Sequence, residues 1–121
     1  MRLLTLILAL ALQSAAGGTM HFDSTVHDFG KILLKDGPVT CSFTVTNGTD
    51  SPQIIQAVTT TCTCTKSEWT RRELKPGESG TVKVTFSNDE GAHPFDKTVC
   101  VYTSAENKPT VLHLRGIVKK N

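Results

Sequence analysis

The chain has little net charge, no long apolar run outside its first residues, and no segment with apolar side chains at helical spacing. Thirteen lysines and arginines against eleven acids leave a formal charge of +2. A nearly neutral chain has no electrostatic reason to seek nucleic acid or an anionic membrane surface. The short basic clusters Arg71-Arg72 and Lys119-Lys120 are therefore expected as solvated edges. Without a run of about 20 apolar residues, no membrane span is expected in the mature chain. Without helical periodicity, an all-α fold is excluded. Recognisable catalytic signatures are also missing: there is no nucleophile elbow, no glycine-rich phosphate loop, and no two histidines at metal-ligand spacing. Asp28-Phe29-Gly30 stands without the other parts of a kinase site. The chain is expected not to be an enzyme, and no cofactor is implied.

The one apolar run lies at the start. Arg2 precedes Leu3–Leu12, and the small residues Ser14, Ala15, Ala16, Gly17 and Gly18 follow. A charged start, a short apolar stretch and a small-residue exit form a secretory signal peptide. The expected signal is residues 1–16, with cleavage after Ala16, a loose leader over 17–20, and one domain over 21–121. No cysteine lies near the cleavage point, so a lipoprotein anchor is not expected. The protein is placed in the periplasm, on the cell surface or in the medium.

What the mature region does contain is period-two alternation. Val39, Cys41, Phe43 and Val45 share one face against Thr40, Ser42 and Thr44; Val82, Val84 and Phe86 oppose Thr81, Lys83 and Thr85. Val99 and Val101 flank Cys100, and Leu112 and Leu114 flank His113. Branched threonine and valine side chains suit a half-buried pleated surface. Asp36-Gly37-Pro38, Asn47-Gly48, Pro76-Gly77, Asp89-Glu90-Gly91 and Asn107-Lys108-Pro109 supply the turns between them. Short strands with a turn signal about every 10 residues predict a two-sheet antiparallel sandwich of about seven strands.

The cysteines carry the candidate chemistry. Cys62 and Cys64 flank Thr63, and on an extended strand their side chains would share a face. Three uses stay open: structural pairing or burial, a soft-metal site for Cu(I), and a redox pair. Cys41 and Cys100 fall on the second and penultimate strands, where antibody-type domains carry an inter-sheet disulfide. Cys41 has the parity for such a bridge and Cys100 does not. Four cysteines allow three full pairings, and sequence does not select one. Asn47-Gly48-Thr49 fits an N-glycosylation acceptor and equally a plain turn. Trp69, beside Arg71-Arg72, is expected to pack over the turn before Pro76 or to be a contact residue.

Taken in order, His27-Asp28-Phe29-Gly30-Lys31-Ile32, Phe43-Thr44-Val45-Thr46-Asn47, Cys62-Thr63-Cys64-Thr65, Leu74-Lys75-Pro76-Gly77-Glu78 and Val82-Lys83-Val84-Thr85-Phe86 resemble the bacterial Domain of Unknown Function 1573 family. The resemblance extends through Lys97-Thr98-Val99 and Leu112–Gly116. It implies an immunoglobulin-like sandwich related to the major sperm protein and PapD-like group, and it implies export. It implies no activity. Thr63 replaces the family's usual glycine, which makes a direct Cys62–Cys64 bridge harder, and Cys41 and Cys100 lie outside the motif. The expected role is that of a non-enzymatic structural or binding module whose partner is a protein of the cell envelope, with the thiol site as the alternative. The sequence leaves the oligomeric state open.

Overall fold

The computed structural model describes residues 18–88 and 90–121. The expected signal segment, residues 1–16, lies outside them. Eight strands follow one another: β1 (Met20–Phe22), β2 (Val26–Leu33), β3 (Val39–Asn47), β4 (Ile55–Thr60), β5 (Thr65–Trp69), β6 (Ser79–Phe86), β7 (Pro94–Thr103) and β8 (Thr110–Lys119). A single 3-10 turn, Leu34–Asp36, separates β2 from β3. The strands form two four-stranded sheets, β1-β3-β6-β5 and β2-β8-β7-β4.

The all-β sandwich is as the alternation predicts. Its strand count is eight, and it is not wholly antiparallel, because β2 runs parallel to β8. The cause is an early change of sheet. β1 pairs with β3, and Asp23 extends that pairing through its backbone and carboxylate to Thr44. Ser24 then turns the chain, its hydroxyl bonded to both backbone groups of Val26. The next strand enters the second sheet beside the last one. Residues 17–20 are not all leader: Met20 opens β1 and is 7% exposed.

The inner faces are those read from the sequence. Cys41, Phe43 and Val45 meet Val82, Val84 and Phe86 within one sheet, and Val99, Val101, Leu112 and Leu114 face them from the other. Each fully buried Val, Leu or Phe side chain stabilises the fold by roughly 1.5–3 kcal/mol. Phe86 stacks on Phe95 at 4.2 Å, and Phe29 leans on Phe95 at 6.3 Å, closing one end of the core. The glycine after Phe29 forms a bulge and not a turn: Gly30 has φ of 69°, and the β2–β8 register slips between Asp28 and Lys31. Gly116 lies opposite. A Cβ there would stand 2.8 Å from the Gly30 carbonyl oxygen and 3.0 Å from the Phe95 ring.

The least expected core residue is polar. Asn47, at the end of β3, has no exposed surface. Its Nδ2 donates to the carbonyls of Ser51 and Leu74, each at 2.8 Å. Its Oδ1 accepts from the Thr49 backbone at 2.8 Å and the Thr49 hydroxyl at 2.7 Å. A buried amide that fills its capacity within the chain is stabilising, whereas one left unpaired is costly. The glycosylation reading of Asn47-Gly48-Thr49 is thereby corrected: the nitrogen a glycan would need is buried and committed.

Candidate functional site

The Cys-Thr-Cys segment does not lie on a strand. It occupies the short connection by which the chain leaves β4 in one sheet and enters β5 in the other. Cys62 and Cys64 are joined to each other by a disulfide, with Cα atoms 5.1 Å apart. Thr63 does not prevent this bridge, because no residue other than glycine takes positive φ among the described residues. The turn therefore closes in backbone conformations that a β-branched residue accepts.

Hydrogen bonds that do not involve the bridge also hold the turn. The Thr60 hydroxyl accepts the Cys62 N–H at 3.2 Å. The Cys62 carbonyl accepts the Thr65 N–H at 3.2 Å and the Thr65 hydroxyl at 3.1 Å. The two threonine hydroxyls bond to one another. The threonine run on either side of the cysteines thus has a local purpose: short hydroxyl side chains turn back on their own backbone. The two sulfurs differ in surroundings. Cys64 is 8% exposed and belongs to the core, whereas Cys62 is partly exposed and rests against it. The Cys64 N–H points at Cys62 Sγ, 3.2 Å away.

As bridged, the pair offers no thiolate to a metal, since a soft cation needs deprotonated sulfur. No group of three or more His, Cys, Asp or Glu comes together among the described residues. A Cys41–Cys100 bridge, one of the pairings the sequence left open, is not formed, and both are free. Cys41 is buried on the inner face of β3, where burial pushes its thiol up to about 11. Cys100 sits between Val99 and Val101 on the outer face of β7, cross-strand from Thr59 and Val111. The sequence parity argument against Cys100 decides the matter: its side chain leaves the sheet on the wrong side.

Among the histidines, His113 is bonded through Nδ1 to Asp96 at 3.0 Å, and the other oxygen of Asp96 lies 3.4 Å from Arg115. Sequence inspection missed this trio because Asp96 comes from a different strand. His93 bonds Glu90 at 2.9 Å. Trp69 packs on the core, with the Arg71 guanidinium 3.9 Å above its ring. Its indole N–H is buried without a partner.

The two outer faces of the sandwich differ in chemistry. On the β1-β3-β6-β5 sheet, cross-strand pairs are hydroxyls and charges: Thr40 with Thr85, Ser42 with Lys83, Thr44 with Thr81, Thr46 with Ser79. The β2-β8-β7-β4 sheet instead exposes Val26, Leu33, Tyr102, Val111 and Ile117, each 37% to 41% accessible, around the His113–Asp96–Arg115 trio. Beside the Gly30 bulge this face carries a shallow groove of about 450 Å³, lined by Asp28, Lys31, Asp96, Arg115 and Ile117 over Phe95.

A family model described as a protein of unknown function (DUF1573) matches residues 20–118, which hold all of β1 to β7 and nearly all of β8. The chain belongs to the DUF1573 family. No curated protein matches the sequence. Among solved structures, this DUF1573 chain is similar to a protein of unknown function from Porphyromonas gingivalis W83, with TM-score 0.69 and 19% identity over 89% of this chain and 50% of that one. It is also similar to the Vibrio cholerae VesB protease, with TM-score 0.66 and 18% identity over 91% of this chain and 34% of that one. The E. coli chaperone DraB follows at TM-score 0.53 and 14% identity, over 85% of this chain and 55% of that one. At these identities the likeness is one of fold. The DUF1573 chain spans half or less of the first two structures. Among its described residues no helix is long and apolar enough to cross a membrane.

Proposed function

We propose that this DUF1573 domain is an exported, non-enzymatic module that binds another protein of the cell envelope through the outer face of its β2-β8-β7-β4 sheet. The observation that carries the reading is the asymmetry of the two faces. Five large apolar side chains are exposed on that sheet, and none of the exposed large hydrophobics among the described residues belongs to the other sheet. Scattered surface hydrophobics are ordinary, but five of the seven exposed among the described residues gather on one sheet, with Leu34 and Ile54 outside both sheets. Such a gathering beside a charged trio is the composition of a contact face. The groove on this face is open to solvent, which supports contact with a surface more than enclosure of a small molecule.

An immunoglobulin-like or PapD-like ancestry fits the two-sheet architecture and the likeness to DraB. The fraction of the P. gingivalis and VesB chains that the fold occupies fits a module that accompanies other domains. Export itself rests on the signal-like start of the sequence.

The test is site-specific photo-crosslinking in intact cells. A crosslinker at Val111 or Ile117 should yield a discrete adduct, one at Lys83 or Thr44 should not, and Val111→Glu should abolish the adduct from Ile117. Equal crosslinking from both faces, or none from the first, would refute the reading.

A further inference from the structure

We infer that Cys62 and Cys64 form a dithiol–disulfide exchange centre, in which Cys62 is the sulfur that an incoming thiolate attacks and Cys64 is the thiol released, which closes the bridge again on reoxidation. This inference goes beyond the binding role, and it stands on three independent features of the turn.

The first is unequal access. Cys64 is 8% exposed and sits in the core, while Cys62 is partly exposed. Exchange proceeds by attack of a thiolate in line on one sulfur, and of the two residues only Cys62 is not buried. The second is the Cys64 N–H, 3.2 Å from Cys62 Sγ. A backbone amide aimed at sulfur favours the thiolate over the thiol, so Cys62 is the better leaving group when the adduct breaks. The third is that the turn does not depend on the bridge for its shape. Thr60 and Thr65 fix the backbone of Cys62 through bonds of 3.1 to 3.2 Å. After reduction the amide therefore still faces the sulfur, and the two sulfurs stay close enough to close again. A purely structural staple needs none of these features.

The co-reactant is a dithiol. Its first thiolate attacks Cys62 Sγ; a mixed disulfide forms, the Cys62–Cys64 bond breaks, and Cys64 leaves as a thiolate that takes up a proton. The second thiol of the co-reactant, deprotonated, attacks its own sulfur in the mixed disulfide and expels Cys62 thiolate. The domain is reduced by two electrons and the dithiol is oxidised to a disulfide. The reverse sequence reoxidises the domain. The two free cysteines do not compete for the role: Cys41 is buried, and Cys100 lies on the outer face of β7, within its own sheet.

The experiment uses the full mature chain carrying Cys100→Ser, so that Cys62 is the reactive thiol once Cys64 is replaced. With Cys64→Ser, incubation with oxidised glutathione should give one adduct, located at Cys62 by peptide mass spectrometry. Its alkylation rate against pH should show a midpoint at least about one unit below that of an ordinary thiol near 8.5. Independently, the unsubstituted domain should be reduced by dithiothreitol and reclose when oxidised glutathione replaces it, with an unchanged far-ultraviolet circular dichroism spectrum. A Cys62 midpoint at or above the ordinary value, no glutathione adduct at Cys62, or unfolding on reduction would each overturn the inference. The wild-type measurement decides the matter even if Cys64→Ser does not fold. None of these readouts involves the outer face of the β2-β8-β7-β4 sheet, so the binding reading stands or falls separately.

Discussion

Replacing Asn47 by alanine tests whether a single buried amide organises one end of this sandwich. The substitution removes four side-chain hydrogen bonds, two donated to the Ser51 and Leu74 carbonyls and two accepted from Thr49. Each such bond contributes about 0.5–1.5 kcal/mol net, and a buried group left unpaired costs more. Relief is partial: the Leu74 carbonyl keeps the Gln53 N–H at 2.9 Å, and the Thr49 hydroxyl, released from Asn47, is free to donate to the Ser51 carbonyl 2.9 Å away. The expected loss is therefore about 2–4 kcal/mol, which for a domain of this size lowers the melting temperature by roughly 10–25 °C. Thermal unfolding followed by circular dichroism measures it directly. Asn47→Asp sharpens the test through its sign. Its second carboxylate oxygen would take the place of Nδ2 against two carbonyls, so its folded pKa would lie above the unfolded value of about 3.9. The folded state then binds more protons than the unfolded one, and stability falls as pH rises through the window between the two values. Asn47→Asp should thus be closer to wild type at pH 4 than at pH 7. A melting temperature within about 3 °C of wild type for Asn47→Ala, or an Asn47→Asp penalty that does not grow with pH, would refute the account of Asn47 as the hub.

Other expectations follow from the same packing. Gly116→Val would drive a side chain against the Gly30 carbonyl and the Phe95 ring, and overpacking of this kind costs about 1–3 kcal/mol; chemical denaturation should show it as a lower midpoint with an unchanged slope. Iodoacetamide at pH 8 should label Cys100 in the native protein within minutes and leave Cys41 unlabelled until the domain unfolds, because Cys41 is buried and its thiol titrates at about 11. Mass spectrometry of the labelled peptides distinguishes the two. Glu78 is held below the usual carboxylate range first by the Lys75 N–H and then by Arg72 and Lys75, and Glu90 by His93 and Lys97. Folded values below the unfolded one mean that their contribution is present above about pH 4.3 and is lost as pH falls through the folded values. The double variant Glu78→Gln, Glu90→Gln should therefore flatten the acid side of the stability–pH curve, and an unchanged curve would count against both contacts.

The inner faces were legible because period-two alternation is a local property. Val39–Val45 and Val82–Phe86 show it within a few residues, and the core they predict is the core that forms. Even the wrong parity of Cys100 for an inter-sheet bridge is visible from its valine neighbours. The turn dipeptides placed the strand ends for the same reason, since glycine and proline act on the backbone next to them. The 20–118 family match and the β-sandwich were likewise within reach of the sequence.

What the tertiary structure decided depends on residues far apart in the chain. That β2 lies parallel to β8 follows from a sheet change near Ser24, which no pattern in β2 announces. Asn47 looks like a turn residue until Leu74, 27 positions later, supplies the carbonyl that buries its amide. His113 faces outward as its alternation indicates, but its partner Asp96 comes from the neighbouring strand. The Cys-Thr-Cys motif shows the division most clearly. Sequence located two sulfurs one residue apart in an expected exported domain. Only the fold placed them at a sheet-to-sheet turn, joined them, buried one and left the other within reach. Local alternation determines which way a side chain points; which groups meet there is set by long-range pairing, and chemistry depends on the meeting.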